Sequence, residues 1–124
     1  MKLLVDTQVL AVLLAGSENI SKESYAELLA AAENGELCVS IVSLLQLREA
    51  VASRMKKLDE WMLNHAAHVL PIDLKVYASM SKAHENETMA DRLILATARS
   101  EDLRLATFRE YNDPDIEFLR CKRA

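Results

Sequence analysis

The chain is short of the residues that make turns and loops. Of 124 residues, two are Gly and two are Pro. Gly16 and Gly35 are the only glycines, which excludes a Gly-rich phosphate loop. A Gly-x-Ser-x-Gly elbow is also missing. So little turn chemistry favours a helix-rich fold. Aromatics are 5% of the chain, so the core must be mainly aliphatic. The two cysteines, Cys38 and Cys121, match no zinc or Cys-x-x-Cys spacing. Cys38 lies in an apolar run and reads as a small core residue. Such sparse thiols fit a reducing cytoplasm. The uncharged stretch Thr7 to Ser17 is too short to span a bilayer. Lys2 and Asp6 interrupt the opening apolar run, so no secretory signal is expected. An excess of positive charge is missing as well. The net charge of −4 argues against a general nucleic-acid coat, though not against a local basic groove.

What is present is a large apolar fraction, 51%, which argues against disorder and for one ordinary domain. Leu3-Leu4-Val5 is a continuous apolar run suited to a strand buried on both faces. Asp6 or Thr7 can cap a helix over Val9–Leu14 that ends at Gly16. Ser21 opens a second helix with Tyr25, Leu28, Leu29 and Ala32 at helical spacing, and Asn34-Gly35 ends it. Leu37–Ile41 reads as the second strand. Ser43 is placed to cap a third helix carrying Leu44, Leu47, Val51 and Met55, closed by Lys56-Lys57. Leu58–Ala67 is a fourth helical pattern, and Val69–Asp73 a third strand with Pro71 near its end. Leu74–His84 and Ala90–Ser100 are helical. Leu103–Thr107 is a fourth strand and Ile116–Leu119 a fifth, with a turn at Asn112–Asp115. The basic tail Arg120-Cys121-Lys122-Arg123 reads as frayed. Strands alternating with helices predict a parallel sheet covered on both faces.

Asp6 stands out because it ends the first strand. In open α/β sheets ligands bind beyond the carboxyl ends of the strands, and a carboxylate is seldom buried without a partner. Asp91, at the start of the apolar helix Ala90–Ser100, is the natural candidate partner. Its plainer role is to favour the helix dipole by about 0.3–1 kcal/mol.

Four blocks in order resemble the PIN-domain family, in particular its toxin–antitoxin ribonuclease toxins. They are Leu4-Val5-Asp6-Thr7, Val39-Ser40-Ile41-Val42-Ser43-Leu44, Ala90-Asp91-Arg92-Leu93-Ile94-Leu95-Ala96-Thr97-Ala98 and Leu105-Ala106-Thr107-Phe108. The resemblance spans nearly the whole chain. It implies an α/β fold, a three-layer α/β/α sandwich with a central parallel sheet, as a single PIN-like domain over residues 1–124. It further implies an acid cluster holding Mg²⁺ or Mn²⁺, cleavage of RNA, and neutralisation by an antitoxin protein. Such chemistry needs hard cations to screen an anionic phosphodiester, lower the pKa of water and clamp the leaving oxygen.

Two of the family's four acid positions are altered. Three residues past Ser43 stands Gln46, and two past Thr107 stands Arg109, each where the resemblance expects an acid. At about 4 Å and an effective dielectric near 20, each such charge pair is worth about 4 kcal/mol, so an arginine there should weaken divalent-metal binding sharply. Gln46 can offer its amide oxygen. Glu49, one turn further along the same helix, can supply a replacement ligand, as can Glu110 or Asp113 beside Arg109. Arg109 can instead take the metal's place electrostatically and pair with Asp6 and Asp91. The resulting expectation is a Mg²⁺- or Mn²⁺-dependent ribonuclease toxin with an altered acidic site. Asp6, Asp91 and Gln46 are its catalytic residues, with metal held by Asp6, Asp91 and Glu49. Thr7, Thr107 and Arg109 bind substrate. RNA, an antitoxin and a second copy of the chain are the expected partners, in the cytoplasm and off the membrane. The competing expectation is a catalytically degenerate PIN-like module that binds RNA or a protein without cleavage. His65 and His68 make a poor zinc pair, having no third ligand nearby. Met55, Trp61, Met62, Met80 and Met89 are candidates for a dimer face or for core packing.

Overall fold

The computed structural model describes residues 2–50, 55–65 and 68–124, apart from the side chains at 49, 50, 55, 56, 58 and 65. Five parallel strands form one sheet: β1 Leu3–Val5, β2 Leu37–Ser40, β3 His68–Leu70, β4 Arg104–Thr107 and β5 Phe118–Arg120. Their spatial order is β3-β2-β1-β4-β5. Among the described residues, six α-helices connect or follow them: α1 Thr7–Ala15, α2 Lys22–Glu33, α3 Ile41–Ala50, α4 Met55–His65, α5 Leu74–Ala78 and α6 Met89–Ser100.

The strand pleat divides the core between the two faces. Leu3 and Val5 of β1 point to one face, with Leu37 and Val39 of β2, and meet Val9 and Leu10 of α1 and Leu28 of α2. Leu4 and Cys38 point to the other, with Leu105, and meet Ile94, Leu95 and Ala98 of α6. Alternate residues therefore serve opposite faces, as the strand period of two requires. Three layers result, in the α/β/α arrangement expected. Trp61 and Met62 of α4 pack partly buried against the first face, so core packing accounts for both, whereas Met89 is exposed.

Several local expectations need correction. Asp6, not Thr7, caps α1: its Oδ1 accepts from the Val9 N–H at 2.9 Å. The second strand stops at Ser40, whose hydroxyl accepts from the Val42 N–H at 3.1 Å and so starts α3 three residues earlier than Ser43 would. Ser43 lies inside α3 and is buried. Met55, Lys56 and Lys57 begin α4 instead of closing the preceding helix. Val51 lies outside the described residues. The third strand ends at Leu70, and Asp73 then caps α5 by accepting from the Val76 N–H at 3.1 Å. That helix is one short turn, followed by a 3₁₀ turn at Lys82–His84, where the sequence suggested continuous helix. The C-terminal tail is not frayed. Cys121 N–H bonds Thr107 O at 2.8 Å, Lys122 N–H bonds the Ser24 hydroxyl at 2.9 Å and Lys122 O accepts from Ser21 N–H at 2.8 Å. Its charge suggested solvation, but its backbone is stapled to α2. No helix among the described residues is long and apolar enough to cross a membrane.

Candidate functional site

The sheet order makes the site. β1 lies between β2 and β4, and the chain leaves β1 towards one side and reaches β4 from the other. This reversal opens a crevice at the carboxyl ends of β1 and β4. Asp6 follows β1 directly, and Thr107 ends β4. Thr107 is completely buried, and its side chain bonds the Asp6 carboxylate. Burial pushes the Asp6 carboxyl above its ordinary value, and the charge of Asp91 pushes the same way. Bonds from Thr107 and the Val9 N–H, and the positive charge of Arg109, only partly offset this.

Beside Asp6, Thr7 reaches across to α3. Its hydroxyl donates to Gln46 Oε1 at 2.7 Å and lies 2.8 Å from the Ser43 hydroxyl. A threonine hydroxyl has one proton, so Ser43 is the donor in the second bond. The Gln46 amide oxygen thus spends one of its two lone pairs on Thr7.

Asp91 lies in the first turn of α6, behind the Thr88 cap, whose hydroxyl accepts from the Asp91 N–H at 3.2 Å. Its Oδ2 meets Arg109 Nη1 at 3.3 Å. The stronger partner of Arg109 is Glu87: both Glu87 oxygens engage the guanidinium, at 2.6 and 2.8 Å. The Tyr111 ring lies below it, 4.7 Å from centroid to guanidinium carbon. The Arg109 N–H also bonds the Thr107 hydroxyl oxygen at 3.1 Å. The fork-on-carboxylate geometry is the strong form of this pair. It holds Glu87 below the ordinary carboxylate range and keeps Arg109 more firmly protonated. Burial and the Asp91 charge push the Tyr111 phenol up to about 12.

The family is decided by a comparison over this same span. The PIN domain model matches residues 3–111. The chain belongs to the PIN domain family. No curated protein sequence matches it. Solved structures with the same fold include VapBC2 from Rickettsia felis bound to a DNA fragment from their promoter, at 19% identity and TM-score 0.73, covering 96% of this chain and 98% of that one. A toxin–antitoxin complex from Klebsiella pneumoniae matches at 18% identity and TM-score 0.63, covering 87% of each chain. FitAcB from Neisseria gonorrhoeae matches at 23% identity and TM-score 0.64, covering 94% of this chain and 95% of that one.

PIN domains generally use divalent metals, and the donor set here can be tested against that need. Among the described residues, no group of three His, Cys, Asp or Glu side chains is placed to hold a metal ion. A guanidinium bonds Asp91, and the Gln46 oxygen already accepts from Thr7. Magnesium and manganese want several oxygen ligands and no neighbouring cation. The described residues of this PIN domain do not fit such an ion.

The remaining candidates fall elsewhere. The Glu49 side chain lies outside the described residues. Glu110 is exposed and meets Arg120 at 3.5 Å. Asp113 is buried, with His84 Nε2 at 2.7 Å and Arg99 Nη2 at 2.6 Å on one oxygen and the Asp115 N–H at 3.0 Å on the other. Glu110 and Asp113 are thus each engaged by other partners. Arg109 pairs with Asp91 as the charge swap suggested, yet its second partner is Glu87 and not Asp6. His68 bonds Gly35 O at 3.1 Å. Sequence reasoning missed Glu87 and Tyr111. Glu87 was read as part of a turn, and the available signal was an acid one residue before the Thr88 cap.

Proposed function

We propose that this PIN domain is the toxin-type member of a toxin–antitoxin pair that acts by binding a protein partner and does not cleave RNA through a bound metal. One observation carries the reading: Arg109 stands where a fourth acid is expected, and its guanidinium bonds Asp91. The partner is an antitoxin, in keeping with the toxin–antitoxin complex among the structural neighbours and the near full-length likeness. The test is a cleavage assay on RNA with Mg²⁺ and with Mn²⁺. The expected result is no metal-dependent cleavage; cleavage that is lost in both Asp6→Asn and Asp91→Asn would overturn the reading.

A second reading, the Mg²⁺- or Mn²⁺-dependent endoribonuclease with Asp6 and Asp91 as metal-binding catalytic residues, is favoured by one observation. The two carboxylates remain close enough for Asp91 to raise the Asp6 pKa. On that reading Glu49 completes the ligand set, Gln46 assists, and Thr7, Thr107 and Arg109 contact RNA. The same assay separates the two.

A further inference from the structure

We infer that Glu87, Arg109 and Tyr111 form a built-in cation lock over the acid pair, and that the metal site beneath it is latent: one substitution, Arg109→Asp, opens it. The inference rests on the reading that this site does not work through a bound metal, and it supplies the reason.

The guanidinium is fixed from several directions. Glu87 grips it with both oxygens, Asp91 meets one nitrogen, and Tyr111 presents its ring face. The backbone of Arg109 is tied to the Thr107 hydroxyl, the same side chain that bonds Asp6. The Tyr111 platform is itself braced. It stacks on Phe118 at 5.8 Å between centroids and takes the edge of His84 at 6.1 Å. His84 is anchored by buried Asp113, which Arg99 also holds. The cation is therefore a placed part of the site, unlike a surface arginine that happens to touch an acid.

Glu87 and Asp91 contact this guanidinium, and its positive charge also reaches the Asp6 carboxylate. Their negative charge is what a divalent ion would need, and the guanidinium answers it in advance. With Asp at position 109 a carboxylate stands in place of the cation. The backbones of Asp6 and Asp91 keep their places in the swap, whereas the Glu87 side chain, gripped by Arg109, loses its partner. Asp6 is fixed by the β1–α1 junction and Asp91 by the Thr88 cap.

The experiment is Mn²⁺ binding to the full chain, measured by electron paramagnetic resonance of free Mn²⁺ and by isothermal titration. Wild type is expected to leave millimolar Mn²⁺ unbound at this site. Arg109→Asp should tighten binding by roughly tenfold or more, because a repelling charge becomes a ligand. Arg109→Gln, which removes the charge without adding a ligand, should show a smaller gain. Tyr111→Leu should show a smaller one still. Asp6→Asn added to Arg109→Asp should abolish the gain and so locate it. Wild type binding Mn²⁺ as tightly as Arg109→Asp would overturn the lock, as would a folded Arg109→Asp with no gain. If Arg109→Asp does not fold, Arg109→Gln decides by the same titration: a gain supports the lock and no gain overturns it. Wild type that binds Mn²⁺ without cleaving RNA defeats the lock alone. Cleavage of RNA by wild type that ignores added metal and chelator defeats the proposed function alone.

Discussion

Two arginines mark opposite ends of α6, and each touches acids. Arg99, in its last turn, shares Asp113 with His84, and the Asp113 side chain is 2% exposed. Both oxygens of that carboxylate have partners, since the other accepts the Asp115 N–H. Arg109, opposite the first turn, shares Glu87 and Asp91 and is 45% exposed. Among the described residues only one Asp91 oxygen has a side-chain partner. The first cluster is closed and holds the fold, fixing the 3₁₀ turn and the loop before β5. The second is open to solvent at the carboxyl edge of the sheet, where a ligand can compete. The acid that belongs to the site is recognised by what its oxygens still lack, more than by its charge.

The largest effect should come from breaking the closed cluster. Asp113→Ala leaves Arg99 and His84 without their buried anion and should cost about 3–5 kcal/mol in urea denaturation. A loss under about 1 kcal/mol would mean the two clusters do not differ in kind. Asp6→Asn should act in the opposite direction. Burial raises the Asp6 pKa above 3.8, so the folded state holds this proton more tightly than the unfolded chain does. Its ionisation therefore costs stability as pH rises from that ordinary value through the folded one. Asparagine keeps the helix cap and removes the charge. The variant should be more stable at pH 7 by on the order of 1 kcal/mol, a gain in Tm of a few degrees. The gain should vanish towards pH 3; a destabilised variant at pH 7 would show that Asp6 is not held at a cost.

Glu87→Gln should cost no more than about 1 kcal/mol, because its partner is half exposed. The Glu87 pKa is lowered from 4.5, so its contribution is full above that value and is lost as pH falls through the lower folded one. Wild type and Glu87→Gln should thus converge in stability as pH falls below the ordinary carboxylate range, as thermal melts across pH would show. Smallest of all is Leu74→Ser, at a side chain 83% exposed, which should stay within about 0.5 kcal/mol. A larger loss would show that Leu74 is covered in solution.

The alternation of strands and helices was legible in the sequence because Leu3–Val5 and Leu37–Ser40 are apolar without interruption, as only a strand buried on both faces needs to be. The ends of elements were less so. Ser40 and Ser43 are both competent caps, and the choice was made by Thr7, a residue distant in sequence that claims Ser43 as its donor. The short α5 was hidden because Leu74–His84 keeps a helical pattern while Ser79 ends the turn. At the site, Asp6, Asp91 and Arg109 could be named from position in the chain. Glu87 and Tyr111 could not, since their role is tertiary and arises only when the loop after β4 folds back over the start of α6. Asp113 was misjudged for the same reason: its buried partners, His84 and Arg99, are far from it in sequence.

The central claim is that a resident guanidinium takes the place of a metal between Asp91 and Glu87. Its most direct test is a Mn²⁺ titration of the wild-type chain followed by amide NMR. The account predicts no broadening selective for Asp6, Asp91 and Arg109 up to millimolar Mn²⁺. Selective broadening of Asp6 and Asp91 at micromolar Mn²⁺ would contradict it.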